Sequence, residues 1–130
     1  MNPLIIEQSE ETPRIHFDSA KGKLVIEGRS LPEDAVHFYE PCLSWTKQYA
    51  SAPLEHTTLQ FNLDYFNSSS AKQMVEIMIV LESVNEGGKS VLVEWMYEED
   101  DELMLTRGKE IESIIDLSFE YIPLKPKSEY

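Results

Sequence analysis

The 130-residue chain predicts a mixed α/β sheet with its helices gathered mainly on one face. Apolar residues alternate with period two in five stretches and recur at three- and four-residue steps in three others, the two spacings of strand and helix. The order is strand, strand, helix, strand, helix, strand, helix, strand. Such βαβ succession calls for right-handed crossovers and parallel pairing among the later strands, with the first hairpin antiparallel. Several strands also keep a polar face, which a sheet covered on both sides would not.

Taken in order, residues 1–11 hold Leu4, Ile5 and Ile6 and then an acidic run, and read as an N-terminal tail whose start packs on the body. A single domain follows over 12–124, with a C-terminal tail at 125–130. Residues 14–17 and 23–27 form a hairpin whose turn Gly22 supplies. Next comes a helix with Ser30 or Leu31 outside it, Pro32 near its first position, and Glu33 and Asp34 facing the positive end of the dipole. It continues through Val36, Phe38, Tyr39, Leu43, Trp45 and Tyr49, and Pro41 should bend it or split it. Leu59, Phe61 and Leu63 mark a strand ending at Leu63, and Ala71, Met74, Val75, Ile77, Met78, Leu81 and Val84 mark a helix stripe. Asn85 to Gly88 stops that helix. A strand over 89–97 places Val91, Val93, Trp95 and Tyr97 on one face. A helix over about 101–116 has Gly108 as its weak point, a strand covers 117–122, and Pro123 with Pro126 ends the ordered chain.

Twenty-four acidic residues against eleven basic ones give a net charge of −13, which repels nucleic acid and anionic lipid and turns attention to protein or small-molecule partners. A lone Cys42 permits no intrachain disulfide and fits a reducing compartment. The first fourteen residues carry acids and prolines in place of a basic and then apolar leader, and no apolar run approaches the roughly 20 residues that span a bilayer. The expected location is the cytoplasm.

The chemistry concentrates in residues 64–72, which join the clearest strand to the clearest helix through Asn67, Ser68, Ser69 and Ser70. Serines suit a helix start because their oxygens accept from backbone N–H groups that lack intrahelical partners, and Asn67 or Ser68 is the expected N-cap. A well-capped helix alone would produce this pattern. A serine hydroxyl at the electropositive end of a helix is equally a place to receive a phosphoryl group. Tyr65 and Phe66 beside it are aromatics of the kind that anchor interfaces.

Other constellations carry less. A nucleophile elbow needs flanking glycines, which this turn lacks, and His16, His37 and His56 have no setting as a general base. The acidic run from Glu98 to Glu102 lacks the length and central glycine of a calcium loop and reads as a solvated helix start. No phosphate cradle or Cys/His cluster is present, so neither cofactor nor metal is expected. An anion-binding module using the same helix start without covalent change is the alternative function.

Leu63 through Lys72 with its Tyr-Phe-Asn-Ser-Ser-Ser turn, the Glu-Gly-Gly stop at 86–88, and the strand containing Trp95 and Tyr97 resemble the SiaC family of bacterial regulatory phosphoproteins. The resemblance runs from Thr12 and Pro13 to about Pro123 and implies a fold similar to STAS domains and anti-sigma-factor antagonists. It implies a non-enzymatic protein in which Ser68, directly after the Asn, is phosphorylated by a dedicated kinase and dephosphorylated by a metal-dependent Ser/Thr phosphatase. Ser69 and Ser70 are rival acceptors, since Ser68 stands where the family pattern has Thr. It further implies that the unphosphorylated protein binds a diguanylate cyclase and promotes cyclic-di-GMP synthesis in biofilm signalling. Asp64, Tyr65, Phe66, Asn67 and Ser69 then form the partner-binding surface around the acceptor.

Overall fold

A computed structural model describes residues 1–126. Along them run β1 (Leu4–Ile6), β2 (Arg14–Asp18), β3 (Lys23–Ser30), α1 (Ala35–Ala50), β4 (His56–Phe66), α2 (Ser68–Glu86), β5 (Ser90–Glu98), α3 (Glu102–Glu112) and β6 (Ser118–Leu124). The strands form one sheet in the order β1-β2-β3-β4-β5-β6. The pairs β1–β2 and β2–β3 are antiparallel, and β3–β4, β4–β5 and β5–β6 are parallel. Because each crossover steps to the next strand in the same direction, a single hand of connection puts all three helices on one face.

Burial follows from that arrangement. Ile15, Phe17, Leu24, Ile26, Leu59, Phe61, Leu63, Val91, Val93 and Trp95 point under the helices and are buried. The alternate residues His16, Val25, Gln60, Leu92 and Glu94 lie on the open face and remain half-exposed. Tyr39, Trp45 and Tyr49 from α1, Met74, Ile77, Met78 and Leu81 from α2, and Met104 and Ile111 from α3 complete the core. Gly22 (φ 64°) makes the hairpin turn and Gly88 (φ 95°) follows the end of α2, both in the left-handed region that favours glycine.

The structure departs from the sequence expectations at six places. The expected N-terminal tail contributes an edge strand: Leu4 pairs with Phe17 and Ile6 with Ile15, and the carbonyl of Asn2 accepts from Trp45 Nε1 at 2.9 Å. Three residues are too few for their alternation to stand out. Helix α1 begins later than expected, with Asp34 as the N-cap accepting from the His37 amide at 3.1 Å. Pro41 neither splits nor ends it, because Pro41 and His37, whose carbonyl loses its donor, both face water. Strand β4 runs on to Phe66, which shrinks the hydroxyl-rich turn to Asn67 alone. Helix α3 stops at Glu112, so Ile114 falls outside it and is 69% exposed. Pro123 lies within β6, which tolerates it as an edge strand. The expected C-terminal tail lies outside the described residues beyond Pro126. Among the described residues no helix is long and apolar enough to cross a membrane.

Candidate functional site

Asn67 is the N-cap of α2. Its backbone is extended (φ −91°, ψ 172°) and its Oδ1 accepts from the Ser70 amide at 2.9 Å. The three serines that follow have different fates. Ser68 and Ser69 are exposed, whereas Ser70 is fully buried. One turn of helix carries a given position through 100° per residue, so the third serine faces inward while the first two face solvent.

Ser70 is held by a buried relay. Its hydroxyl donates to the Ser30 carbonyl at 3.1 Å and accepts from Ser30 Oγ at 2.8 Å. With the single Ser30 proton committed to Ser70, Tyr39 donates to Ser30 Oγ at 2.6 Å. The Asn67 amide also donates to the Ser30 carbonyl, at 3.2 Å. The end of β3 and helix α1 thus clamp the start of α2, and burial pushes the Tyr39 phenol well above its ordinary range, keeping it a donor. Tyr39→Phe should cost about 1–2 kcal/mol in chemical denaturation, the penalty for leaving a buried acceptor short of its donor.

A one-residue register shift between Gly28 and Arg29 gives the adjoining residues their orientation, since Gly28 pairs with Leu63 but Arg29 pairs with Tyr65. The extra residue inverts the alternation. Phe66 therefore turns into the core, 1% exposed and edge-on to Trp95 at 5.9 Å between ring centroids, while Tyr65 turns out and is 41% exposed. Phe66 thus cannot belong to a surface patch as expected; it supports the site from below. Arg107 of α3 covers its ring at 5.6 Å, and Arg29 lies 5.8 Å from the Tyr65 ring.

Beside Ser68 lies a groove of about 530 Å³ between α2 and α3, lined by Ser68, Ser69, Ala71, Lys72, Val75, Glu110, Ile111 and Ile114. Four of its eight lining residues are apolar, Lys72 and Glu110 bring opposite charges, and Ser68 and Ser69 bring the two exposed hydroxyls. Asp64 is exposed at the end of β4 but opens on a different, polar cavity with Gln8, Glu27, Asn62 and Glu98. The structure therefore brings Ser68 and Ser69 together with α3 residues that sequence reasoning did not assign to the site. Ile114 was hidden by the longer helix expected there, and only the break after Glu112 leaves it on the surface.

The remaining candidates fall away from this site. Asp101 accepts from the Met104 amide at 3.0 Å and caps α3, which explains an acid at that position of the acidic run. Cys42 is buried, and desolvation pushes its thiol up to about 12, so no thiolate nucleophile exists there at neutral pH.

Comparison with known proteins agrees with this architecture. The profile of the SiaC family of regulatory phosphoproteins matches residues 6–124. An uncharacterized protein of Pseudomonas aeruginosa (strain UCBPP-PA14) is 29% identical over 121 residues, spanning 93% of this chain and 94% of its own. The crystal structure of apo-SiaC from Pseudomonas aeruginosa superposes with a TM-score of 0.87 at 26% identity, covering 94% of this chain and 99% of that one. A chain in the crystal structure of the diguanylate cyclase SiaD in complex with its activator SiaC, from the same organism, superposes with a TM-score of 0.88 at 26% identity, covering 93% and 99%. With a profile match across nearly its whole length and the same mixed, STAS-like sheet, the chain belongs to the SiaC family of regulatory phosphoproteins.

Proposed function

We propose that this protein is a non-enzymatic cytoplasmic switch set by phosphorylation of Ser68 and read by a diguanylate cyclase. The observation that carries the assignment is the contrast within the serine run: Ser68 is exposed at the first position of α2 and at the mouth of an apolar groove, while Ser70 is sealed. A kinase can reach the first two hydroxyls and cannot reach the third, and the family resemblance, in which the acceptor directly follows the Asn, selects Ser68 over Ser69. The SiaC–SiaD complex of the relative supports a cyclase as the partner.

The mechanism is local electrostatics. In the unmodified state a neutral hydroxyl borders Ala71, Val75, Ile111 and Ile114, a surface whose burial against an apolar partner is favourable. A kinase transfers a phosphoryl group from its nucleotide donor to Ser68 Oγ, which loses its proton. The phosphate brings about −1.5 to −2 charges to that border at neutral pH, and desolvating a dianion against a partner opposes binding. The unpaired amides at the start of α2 favour negative charge, so the fold itself tolerates the modification. A metal-dependent Ser/Thr phosphatase resets the switch. Tyr65, Asn67 and Ser69 extend the contact surface, and Asp64 lies at its edge.

Two measurements test this. Phosphopeptide mass spectrometry of the protein from its own cells should place the phosphate on Ser68, and a phosphate confined to another residue would refute the assignment. Ser68→Ala should still raise cyclic-di-GMP synthesis by the partner cyclase, whereas Ser68→Asp should weaken cyclase binding by about tenfold or more, the scale of placing a charge in a desolvated contact.

A further inference from the structure

Resting on that assignment, we infer that phosphorylated Ser68 is captured within the same chain by Arg107 of α3, so that the modification also straps the mouth of the α2–α3 groove. In a chain carrying 24 acidic residues and 11 basic ones, a cation beside the acceptor weighs heavily in the local balance of charge. Arg14 pairs with Glu27 and Lys89 with Glu55, and neither ion pair involves a residue lining the groove. Arg107 instead rests its guanidinium 5.6 Å above the Phe66 ring, two residues before Ser68. It is also one turn before Ile111, which lines the groove with Ser68, although Arg107 itself stacks on Phe66 and does not line that groove. Lys72, one turn after Ser68 on the same face of α2, adds a second positive charge to that groove.

Stacking on a ring is a weaker use of a guanidinium than a forked, charge-assisted pair with phosphate. Rotation of Arg107 off Phe66 would trade the first for the second. The resulting bridge joins α2 to α3 across the opening that a partner must enter. Glu110 in the groove wall and Asp64 at the end of β4 are the anionic groups that oppose it. Asp64 opens on a different cavity from the one Ser68 lines, whereas Lys72 lies one helical turn from Ser68 in the same groove and offsets Glu110 there.

The test is a phosphorus NMR titration of full-length protein with phosphoserine installed at position 68 during translation, so that no kinase is involved. The phosphate should titrate below the value of about 6 found for a free phosphoserine. Arg107→Gln should raise the midpoint by roughly half a pH unit, the shift an exposed ion pair produces, and Arg107→Lys should restore most of it. Coincident titrations of Arg107→Gln and the unsubstituted protein would overturn the inference, leaving the helix amides as the sole receivers. Equal melting temperatures of the unphosphorylated forms establish that the variant folds. Absence of phosphate on Ser68 in cells would defeat the switch without touching this result, so the two failures are distinguishable.

Discussion

Ser70→Asp should lose about 3–5 kcal/mol of folding stability, while the same substitution two residues earlier, Ser68→Asp, should stay within about 1 kcal/mol of the unsubstituted protein. Ser70 is fully buried and its hydroxyl both donates to and accepts from Ser30. A carboxylate there would be desolvated, would accept from Ser30 Oγ, and would face the Ser30 carbonyl with nothing to donate. Protonation relieves that conflict, so the folded-state pKa of this Asp lies above its unfolded value of about 3.9. The sign follows: the deficit is small below about pH 4, grows as pH rises, and is complete once pH exceeds the folded pKa. At position 68 the same charge meets water on one side and the unpaired amides of α2 on the other, a favourable place for an acid. Urea denaturation of both variants at several pH values reads the contrast directly, and equal stabilities would mean that Ser70 is not sealed in solution.

That contrast also shows which parts of the site local sequence could reveal. The cap of α2, narrowed to Asn67 or Ser68, and the apolar stripe of α2 depend on residues within a few positions of one another, and to that extent both were legible. The burial of Ser70 depends on Ser30 and Tyr39, which β3 and α1 bring from 40 and 31 positions away. The inward turn of Phe66 depends on an extra residue between paired strands, and a single shift flips every later side chain to the opposite face. Alternation from Leu59, Phe61 and Leu63 would have buried Tyr65 instead. The groove needs α3 laid beside α2, a packing fact with no counterpart in either helix's own pattern. The pairing directions, antiparallel in the first hairpin and parallel among the later strands, were legible for the opposite reason. Short connections and one hand of crossover leave few alternatives once the elements are known.

Gly108→Val should cost about 3 kcal/mol and Gly108→Ala a smaller amount of the same sign, although alanine favours a helix by about 1 kcal/mol over glycine. Packing decides the sign. A Cβ at Gly108 would lie 2.7 Å from Trp95 Nε1 and 2.8 Å from its neighbouring ring carbons, distances that real contacts do not reach. Trp95 has no room to withdraw. It is 1% exposed, its Nε1 donates to the Met104 carbonyl at 3.0 Å, and its ring abuts Phe61 at 5.3 Å and Phe66 at 5.9 Å. Helix α3 must therefore lift away from β5, and it carries Ile111 and Arg107 with it. The weak point expected from helix propensity is thus the contact that seats one wall of the groove. Ser68 and its cap belong to α2 and are clamped by Ser30 and Tyr39, on the other side of the site from this displacement. Under the proposed switch, Gly108→Ala, folded but with α3 displaced, should accordingly remain a substrate for its kinase while cyclase binding falls by about tenfold, an effect of the size expected when an interface loses complementarity at its centre. Parallel loss of both activities in a variant that retains its cooperative unfolding would show instead that kinase and cyclase use the same wall.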